Sequence, residues 1–309
     1  MTDAPLTGSF VALITPMNDD YSIDFEGFRA LIDFQAAHGT SALLLMGSSG
    51  EVSMLSESER HQIVERTVAF RPEAVELWYG CTGATTEASI AYVAQAASCG
   101  ADGAILAAPA YITASRAEIT QFLLDVADAS AIPIGIYNNP PRVRTDLHTE
   151  DLVRLAAHPN IKVLKESTDR VGQVAQMARA ATGISLMCCC NPNLGLVVPT
   201  MALGGHGLAN MTGNILPEEM AAMSRPWTTP DTALEFQSLY LENLPMLEYV
   251  YSRVNPVPVK SFLHAVGMPS GPMRRPLQFI DKDRLAVGLR AAKQLGLDDR
   301  YGYDLTAAD

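Results

Sequence analysis

Eight short aliphatic runs that alternate with longer amphipathic stretches predict an α/β protein, a closed (β/α)8 TIM barrel with a C-terminal helical extension. Three observations support this class: the regular alternation, the apolar character of the runs, and the absence of a glycine-rich turn after the first run. Strands covered by helices on both faces are apolar on both faces. Connections of helix length join strands that run parallel.

The predicted strands are the aliphatic and β-branched runs. In chain order they are Phe10–Ile14, Ala42–Met46, Val75–Tyr79, Ala104–Ala107, Ile132–Tyr137, Ile161–Leu164, Ile184–Cys190 and Gly207–Met211. The amphipathic stretches between them include Asp24–His38, Ser56–Ala69, Thr85–Ser98, Ser115–Ala129 and Arg170–Ala181. Ser56 with Glu59 three residues later predicts a capping box, and Gly39 and Gly100 stand where a helix should end.

Parallel β/α units can also form an open doubly wound sheet. An open sheet that binds a nucleotide would carry a Gly-x-Gly-x-x-Gly turn after its first strand. Here the first run ends in Ile14-Thr15-Pro16-Met17, so the barrel is preferred and is placed at residues 1–216. Residues 217–309 are predicted to be helices packed on the barrel, at Thr232–Tyr251, Val259–Ala265 and Arg284–Leu295.

The composition excludes several classes of function. Among 309 residues, 34 acids against 22 lysines and arginines give a formal charge of −12, which repels nucleic acid. No apolar run approaches the roughly 20 residues of a membrane span, and residues 1–8 show no export signal. Five cysteines, three of them adjacent at 188–190, suit no disulfide framework. We therefore expect a reduced cytoplasmic protein with neither nucleic-acid nor membrane partners.

Reactive groups in a β/α barrel lie at the C-terminal ends of the strands and in the loops that follow. Four of the runs end in polar residues: Gly47-Ser48-Ser49-Gly50-Glu51, Pro109-Ala110-Tyr111, Tyr137-Asn138-Asn139-Pro140-Pro141-Arg142 and Lys165-Glu166-Ser167. Because parallel strand ends meet at one rim, these hydroxyls, phenols and one amine are predicted to converge.

Lys165 is the most informative candidate. Alternation places it on the same face as Ile161 and Val163, whereas Glu166 should point away. If the Ile/Val face lines the barrel, the amine sits at an apolar rim, where desolvation disfavours the ammonium form. A neutral amine can attack a ketone and form a Schiff base, which serves as an electron sink for making and breaking C–C bonds. The alternative is a lysine that ends a strand with its charge in solvent.

Other rim residues have a functional and a structural interpretation. Tyr137, above the space that Gly135 leaves, could shuttle protons or simply pack on a loop, and Tyr111 has the same ambiguity. The Ser48–Gly50 loop could offer backbone N–H groups to a carboxylate, although such loops are more often plain turns. Arg142, held by two prolines, could bind a carboxylate or remain a solvated surface residue.

Metal and phosphate chemistry find no support in the sequence. The six histidines are scattered, and no pair has metal-ligand spacing. Cys188–Cys190 fall in a buried strand, where they are expected to act as small apolar side chains. No P-loop occurs, and no cofactor or metal is expected.

Five segments together resemble the dihydrodipicolinate synthase / N-acetylneuraminate lyase family. They are Gly47–Glu51, Tyr137–Pro140, Lys165–Ser167, Gly204–Gly207 and Asn255–Lys260, and the resemblance extends from Val11–Pro16 to Arg275–Leu277. It implies a (β/α)8 barrel and pyruvate bound as an imine. It implies a homotetramer without a cofactor, whose other substrate is a small aldehyde or keto acid.

The resemblance also implies roles for individual residues. Lys165 would form the imine, Tyr137 would transfer protons, and Ser48 stands where the family has a relaying threonine. Ser49, in the loop with Gly50, would bind the pyruvate carboxylate.

Three further positions match the family outside this group. Tyr111 would reach into the neighbouring subunit's site, and the carbonyl of Leu208 would face the substrate. Arg142 would hold the carboxylate of the aldehyde, which favours aspartate-semialdehyde.

The sequence departs from the family pattern at several positions. Serines replace both threonines of the usual Gly-Thr-Thr-Gly-Glu, Val163 replaces a small residue, and Val143-Arg144 replaces Thr-Gly, which predicts a second arginine at the entrance. The positions that bind the feedback inhibitor lysine in some synthases lack the expected partners. They carry Val52, Ser53, Glu57, Arg60, Ala84, Ala88 and Ala110, so we predict no inhibition by lysine.

Three alternatives remain open from the sequence. The chain could be an aldolase, dehydratase or deaminase of the same family that acts on a sugar-acid or hydroxyproline-derived keto acid. It could be a non-catalytic barrel that binds a keto acid, although Lys165, Tyr137 and Ser48 are all present. A metal-dependent aldolase would need ligands that the sequence does not supply.

Overall fold

The computed structural model describes residues 6–180 and 182–306. In this structure eight parallel strands pair in chain order, and the eighth strand pairs with the first. They are β1 (Gly8–Ala12), β2 (Ala42–Leu45), β3 (Glu76–Gly80), β4 (Gly103–Leu106), β5 (Ile134–Asn138), β6 (Ile161–Glu166), β7 (Ser185–Cys188) and β8 (Gly207–Asn210). Phe10 of β1 lies beside Ala42 of β2 and Ala209 of β8, which closes the barrel. The predicted (β/α)8 barrel is confirmed.

Each predicted run overlaps one observed strand. Two of the differences between the predicted and observed strand ends bear on the C-terminal rim of the barrel. Strand β6 continues past Leu164 and includes Lys165 and Glu166, whereas β7 ends at Cys188, two residues earlier than predicted. The amine of Lys165 is therefore carried by the sheet itself. Cys189 lies just beyond a strand end, where rim residues are found.

Large side chains fill the middle of the barrel. The rings of Phe10 and Trp78 meet edge to face, with 6.0 Å between their centroids. Gly103 on the neighbouring strand is required by this packing, because a Cβ there would lie 2.4 Å from Trp78 Cε3. The barrel is thus a packed core with its open end at the C-terminal rim.

The helices surround this barrel and continue past it. They are α1 (Phe25–Ala37), α2 (Glu57–Ala69), α3 (Thr86–Cys99), α4 (Arg116–Ala129), α5 (Pro140–Val143), α6 (Thr149–Ala156), α7 (Val171–Ala180), α8 (Val197–Ala202), α9 (Pro217–Met223), α10 (Pro230–Val250), α11 (Val257–Ala265), α12 (Lys282–Gln294) and α13 (Leu297–Tyr301). Short 3₁₀ turns occur at Val52–Met54, Pro192–Leu194 and Thr212–Asn214.

The predicted start and stop signals explain several helix ends. Ser56 and Glu59 form the reciprocal hydrogen bonds of a capping box, and Gly100 ends α3 with a φ of +92°. Ala181, the predicted end of the helix that begins near Arg170, lies outside the described residues.

The C-terminal part begins with a helix that belongs to the barrel's surface. Helix α9 packs against β8 and β1, so it completes the eighth β/α unit although it follows the predicted boundary at residue 216. Helix α10 packs against α9 and α12, and α11 packs against α12. Within residues 6–180 and 182–306, no helix has the length and apolar character needed to cross a membrane.

Candidate active site

Lys165 lies at the C-terminal end of β6 with its side chain turned into the barrel mouth. Only 5% of the residue is exposed, while Lys162 on the opposite face is exposed. Its register partner on β5 is Tyr137, and Lys165 Nζ lies 4.6 Å from the centre of the Tyr137 ring. Among the described residues, no carboxylate comes within ion-pair distance of this amine. The arrangement is that of a buried amine beside a phenol.

A cavity of about 460 Å³ opens at this rim and brings most of the predicted site residues together. Its lining includes Ser48, Ser49, Tyr137, Arg142 and Lys165. They come from the ends of β2, β5 and β6, as the rule for strand ends predicts. A three-carbon keto acid would fill only part of a cavity of this size, which leaves room for a second substrate.

Tyr137 is half-buried, and its hydroxyl accepts a hydrogen bond from Asn139 Nδ2. Its own proton is therefore free to be donated elsewhere. The space above Gly135 is not free, because a Cβ there would lie 2.3 Å from Ile105 Cδ1 and 3.1 Å from Val163 Cβ. The glycine makes room for core packing between neighbouring strands rather than for the tyrosine ring.

The loop after β2 is held by a residue far along the chain. Asn255 Nδ2 donates to Ser48 Oγ at 3.2 Å and to Ser49 Oγ at 3.1 Å. Both serine hydroxyls thus accept from the same amide. Ser48 keeps its proton for a ligand, whereas Ser49 Oγ donates to Met211 Sδ at 3.8 Å, a weak acceptor that a carboxylate could replace. Asn255 is not among the site residues predicted from the sequence, although it stands in one of the motifs that carry the family resemblance.

Gly50 serves the shape of this loop and does not line the cavity. Its N–H donates to the carbonyl of Gly47, and its carbonyl accepts from Thr15 Oγ1. A Cβ at this position would lie 3.0 Å from the backbone nitrogen of Met46. The predicted role of Gly50 as a backbone donor to a carboxylate therefore gives way to a role in the turn.

A buried ion pair fixes the end of the same loop. Glu51 has a left-handed backbone with φ of 57°, and its Oε1 lies 2.9 Å from Lys260 Nζ, both side chains being fully buried. Lys260 also donates to the carbonyls of Thr15 and Pro272, and Arg274 N donates to Glu51 Oε2. Burial lowers the pKa of Lys260, and the Glu51 carboxylate opposes that shift.

Glu166 points away from the cavity, as alternation along β6 predicts. Its carboxylate accepts from Gln173, from Asn138 and from the backbone N–H groups of Ser167 and Thr168. Burial raises the pKa of Glu166 against the effect of these hydrogen bonds. The residue ties β5 and β6 to α7 and thereby supports the position of Lys165.

Arg142 and the prolines before it form one turn of helix, α5, rather than a stiff loop. Proline suits the first helical positions because its missing N–H would have no partner there. Arg142 is exposed and lines the cavity. Arg144, the second arginine expected at the entrance, is exposed with φ of 68° and is not a lining residue.

Besides Gly50, two more predicted site residues lie outside the cavity. Tyr111 is 96% exposed with φ of 79°, and it is not a lining residue of the cavity that holds Lys165. Leu208 is buried in β8, and its carbonyl accepts a hydrogen bond from Asn210 Nδ2. Ala209 and Met211 line the cavity in its place, because the position of a β8 residue relative to the rim depends on a register that the sequence does not reveal.

Several lining residues were not identified from the sequence. Cys189 is half-buried at the rim, which corrects its placement inside a buried strand, and its Sγ lies 3.3 Å from the Tyr251 hydroxyl. Burial raises the pKa of that tyrosine well above its usual value. The strand-end rule could have found Cys189, whereas no local signal indicates Tyr251. The other lining residues of this kind are Asn139, Ser167, Asn191, Arg253 and Asn255.

The sequence pattern of the dihydrodipicolinate synthetase family matches residues 5–294. The chain belongs to this family. The 4-hydroxy-tetrahydrodipicolinate synthase of Acidiphilium cryptum is 34% identical over 292 residues, which are 94% of this chain and 98% of the relative. The synthase of Methanosphaerula palustris is 30% identical over 282 residues, which are 91% and 96% of the two chains.

Solved structures agree with this membership of the dihydrodipicolinate synthetase family. The chloride-inhibited dihydrodipicolinate synthase from Acinetobacter baumannii, complexed with pyruvate, superposes with a TM-score of 0.86 and 26% identity. The match covers 94% of this chain and 99% of that one. The resemblance drawn from the sequence motifs is confirmed, and with it the conclusion that the chain is an enzyme of a lyase family.

Proposed function

We propose that the chain is a pyruvate-dependent Schiff-base lyase that condenses pyruvate with aspartate-semialdehyde, as a 4-hydroxy-tetrahydrodipicolinate synthase does. The observation that carries the proposal is the buried amine of Lys165, which has a phenol beside it and no acid partner among the described residues. The names of the relatives support the same reaction.

The proposed reaction begins with attack of the Lys165 amine on the C2 ketone of pyruvate. Loss of water from the carbinolamine gives the imine, and loss of a C3 proton gives the enamine. The enamine carbon then forms a bond to the aldehyde carbon, whose oxygen takes up a proton. Hydrolysis of the imine, or its displacement by the substrate's own amine, releases Lys165.

Tyr137 is the group placed to move protons in these steps. Its hydroxyl accepts from Asn139 and so is oriented to donate its proton, and Ser48 lines the same cavity as a relay partner. Proton transfer by a positioned side chain typically contributes about 10²- to 10⁴-fold to the rate.

The two carboxylates of the substrates are assigned to different parts of the cavity. Ser49 is almost fully buried, and its hydroxyl donates only to the weak acceptor Met211 Sδ among the described residues, so the carboxylate of pyruvate could take over that proton. Arg142 at the exposed edge suits the carboxylate of the aldehyde. No cofactor or metal takes part in this scheme, and full activity in the presence of a chelator would support it.

A homotetramer with a shared site is part of the proposal. Tyr111 is 96% exposed in one chain, and a left-handed backbone holds it there. Donation of this ring to a neighbouring subunit would complete the proton relay. Sedimentation analysis combined with a Tyr111→Phe variant tests this role, and a fully active monomer would contradict it.

A panel of aldehydes and keto acids tests the reaction. Purified enzyme with pyruvate should consume aspartate-semialdehyde and form the cyclic product, whereas a Lys165→Ala variant should not. Pyruvate adduct formation without turnover of aspartate-semialdehyde would eliminate the synthase reaction. Cleavage or dehydration of a sugar-acid or hydroxyproline-derived keto acid would then identify the alternative within the family.

A further inference from the structure

Arg253 lines the same cavity as Lys165 and Arg142, although it comes from the segment that joins α10 to α11. It is exposed at the cavity mouth. Neither the barrel strands nor the loops that follow them supply this residue. Its position therefore depends on how the 251–255 segment is attached to the rim.

That segment is anchored at both ends. The Tyr251 hydroxyl lies 3.3 Å from Cys189 Sγ and 3.2 Å from Cys190 Sγ, both beyond the end of β7. Four residues later, Asn255 donates to the hydroxyls of the two serines after β2. Arg253 stands midway between these anchors, so its backbone is held at the mouth rather than left in a free surface loop.

The charges of the cavity are unbalanced. Its lining contains three basic side chains, Lys165, Arg142 and Arg253, and no aspartate or glutamate. In the described part of the chain, neither arginine has a carboxylate within ion-pair distance. By contrast, Arg170 is paired with Asp146 beside the same rim.

A second observation indicates a polar ligand in this cavity. Ser167 lies two residues after Lys165, just past the end of β6, is 3% exposed, and lines the cavity. Its buried hydroxyl has no hydrogen-bond partner in the described structure. A buried polar group without a partner is destabilising, and a polar ligand would supply that partner.

We infer that Arg253 is a specificity-determining residue that binds, together with Arg142, the carboxylate of the second substrate. The site then selects acidic aldehydes and keto acids over uncharged ones of the same length. An anion bound by both guanidinium groups receives charge-assisted hydrogen bonds from both, whereas an uncharged aldehyde gives neither arginine a counter-charge. This inference rests on the proposed function, because it concerns the acceptor of the pyruvate enamine.

The test compares two probes that differ only in the carboxylate. Succinate semialdehyde and butanal have the same chain length, and each is titrated into pyruvate-loaded enzyme to measure its affinity. The variants are Arg253→Gln, Arg253→Lys and the matched control Arg144→Gln, an exposed arginine that does not line the cavity. Aspartate-semialdehyde turnover supplies KM and kcat for each variant.

We expect wild-type enzyme to bind succinate semialdehyde more tightly than butanal. Arg253→Gln should weaken the binding of succinate semialdehyde about tenfold and leave the affinity for butanal and the KM for pyruvate unchanged. It should raise the KM for aspartate-semialdehyde with little change in kcat. Arg253→Lys should retain part of the affinity, and Arg144→Gln should match wild type.

Two results would overturn the role of Arg253. One is equal affinity of the wild-type enzyme for both probes, and the other is an equal loss of affinity for both probes in Arg253→Gln. Failure of the proposed function gives a different result. In that case borohydride would trap no pyruvate on Lys165 of the wild-type enzyme, whatever the variants do.

Discussion

Replacement of Lys260 by methionine should destabilise the protein strongly. Lys260 Nζ is fully buried and donates to Glu51 Oε1, to the Thr15 carbonyl and to the Pro272 carbonyl at 2.9–3.0 Å. Methionine has a similar length but no donor. Among the described residues, the Glu51 carboxylate would keep only the backbone N–H of Arg274 as a partner.

The magnitude follows from the buried charge. Removal of one partner of a buried ion pair costs about 3–5 kcal/mol, because the other charge is left uncompensated. Two carbonyls also lose a donor, at about 1–3 kcal/mol each when no water replaces it. These terms overlap, so we expect a loss of about 4 kcal/mol from a typical total of about 5–15 kcal/mol.

The double variant Glu51→Gln/Lys260→Met provides the control. It removes both charges, so it should be clearly more stable than Lys260→Met alone. The assay is urea unfolding followed by far-UV circular dichroism at one fixed protein concentration. A Lys260→Met protein within about 1 kcal/mol of wild type, or a double variant as unstable as the sum of the single ones, would refute the reasoning.

Three further predictions concern pH, the pyruvate loop and regulation. The hydrogen bond from Arg274 lowers the pKa of Glu59 from 4.5 to about 2, so the contribution of Glu59 to stability is complete above about pH 4.5 and is lost as pH falls towards 2. Glu59→Gln should therefore cost about 1 kcal/mol of unfolding free energy at pH 7 after solvent screening. An equal cost at pH 3 in urea unfolding would contradict this. Asn255→Ala should raise the KM for pyruvate and lower kcat, so that kcat/KM falls about tenfold, because Ser48 and Ser49 lose their shared hydrogen-bond donor. Unchanged steady-state kinetics would exclude this positioning role of Asn255. Millimolar lysine should not slow the enzyme, and a clear fall in rate in a lysine titration would show that the altered inhibitor positions still bind it.

Local patterns in the sequence predicted the barrel and part of the set of residues at its C-terminal rim. Alternation along β6 placed Lys165 in the barrel mouth and Glu166 behind it, and the Ser56 and Glu59 spacing predicted a helix start that the structure contains. Both predictions depend on residues close in the chain. The ring of Tyr137 also lies where the strand-end rule places it.

The residues that the sequence did not reveal depend on long-range contacts. Asn255 reaches the serines after β2 across about two hundred residues, and Arg253 enters the cavity only because that contact and Tyr251 hold its segment. Leu208 was placed at the cavity on the resemblance alone, and the register of β8 brings Ala209 there instead. No periodicity or spacing encodes such contacts between the helical extension and the barrel.

The central claim is that the amine of Lys165 bonds covalently to pyruvate. The direct measurement is borohydride reduction of the enzyme with pyruvate, followed by peptide mass mapping, on wild type and on a Lys165→Arg variant that keeps the positive charge. We predict one reduced pyruvate adduct, on the peptide that contains residue 165, and neither adduct nor turnover in the variant. An adduct on another lysine, or near-native turnover by Lys165→Arg, would contradict the mechanism.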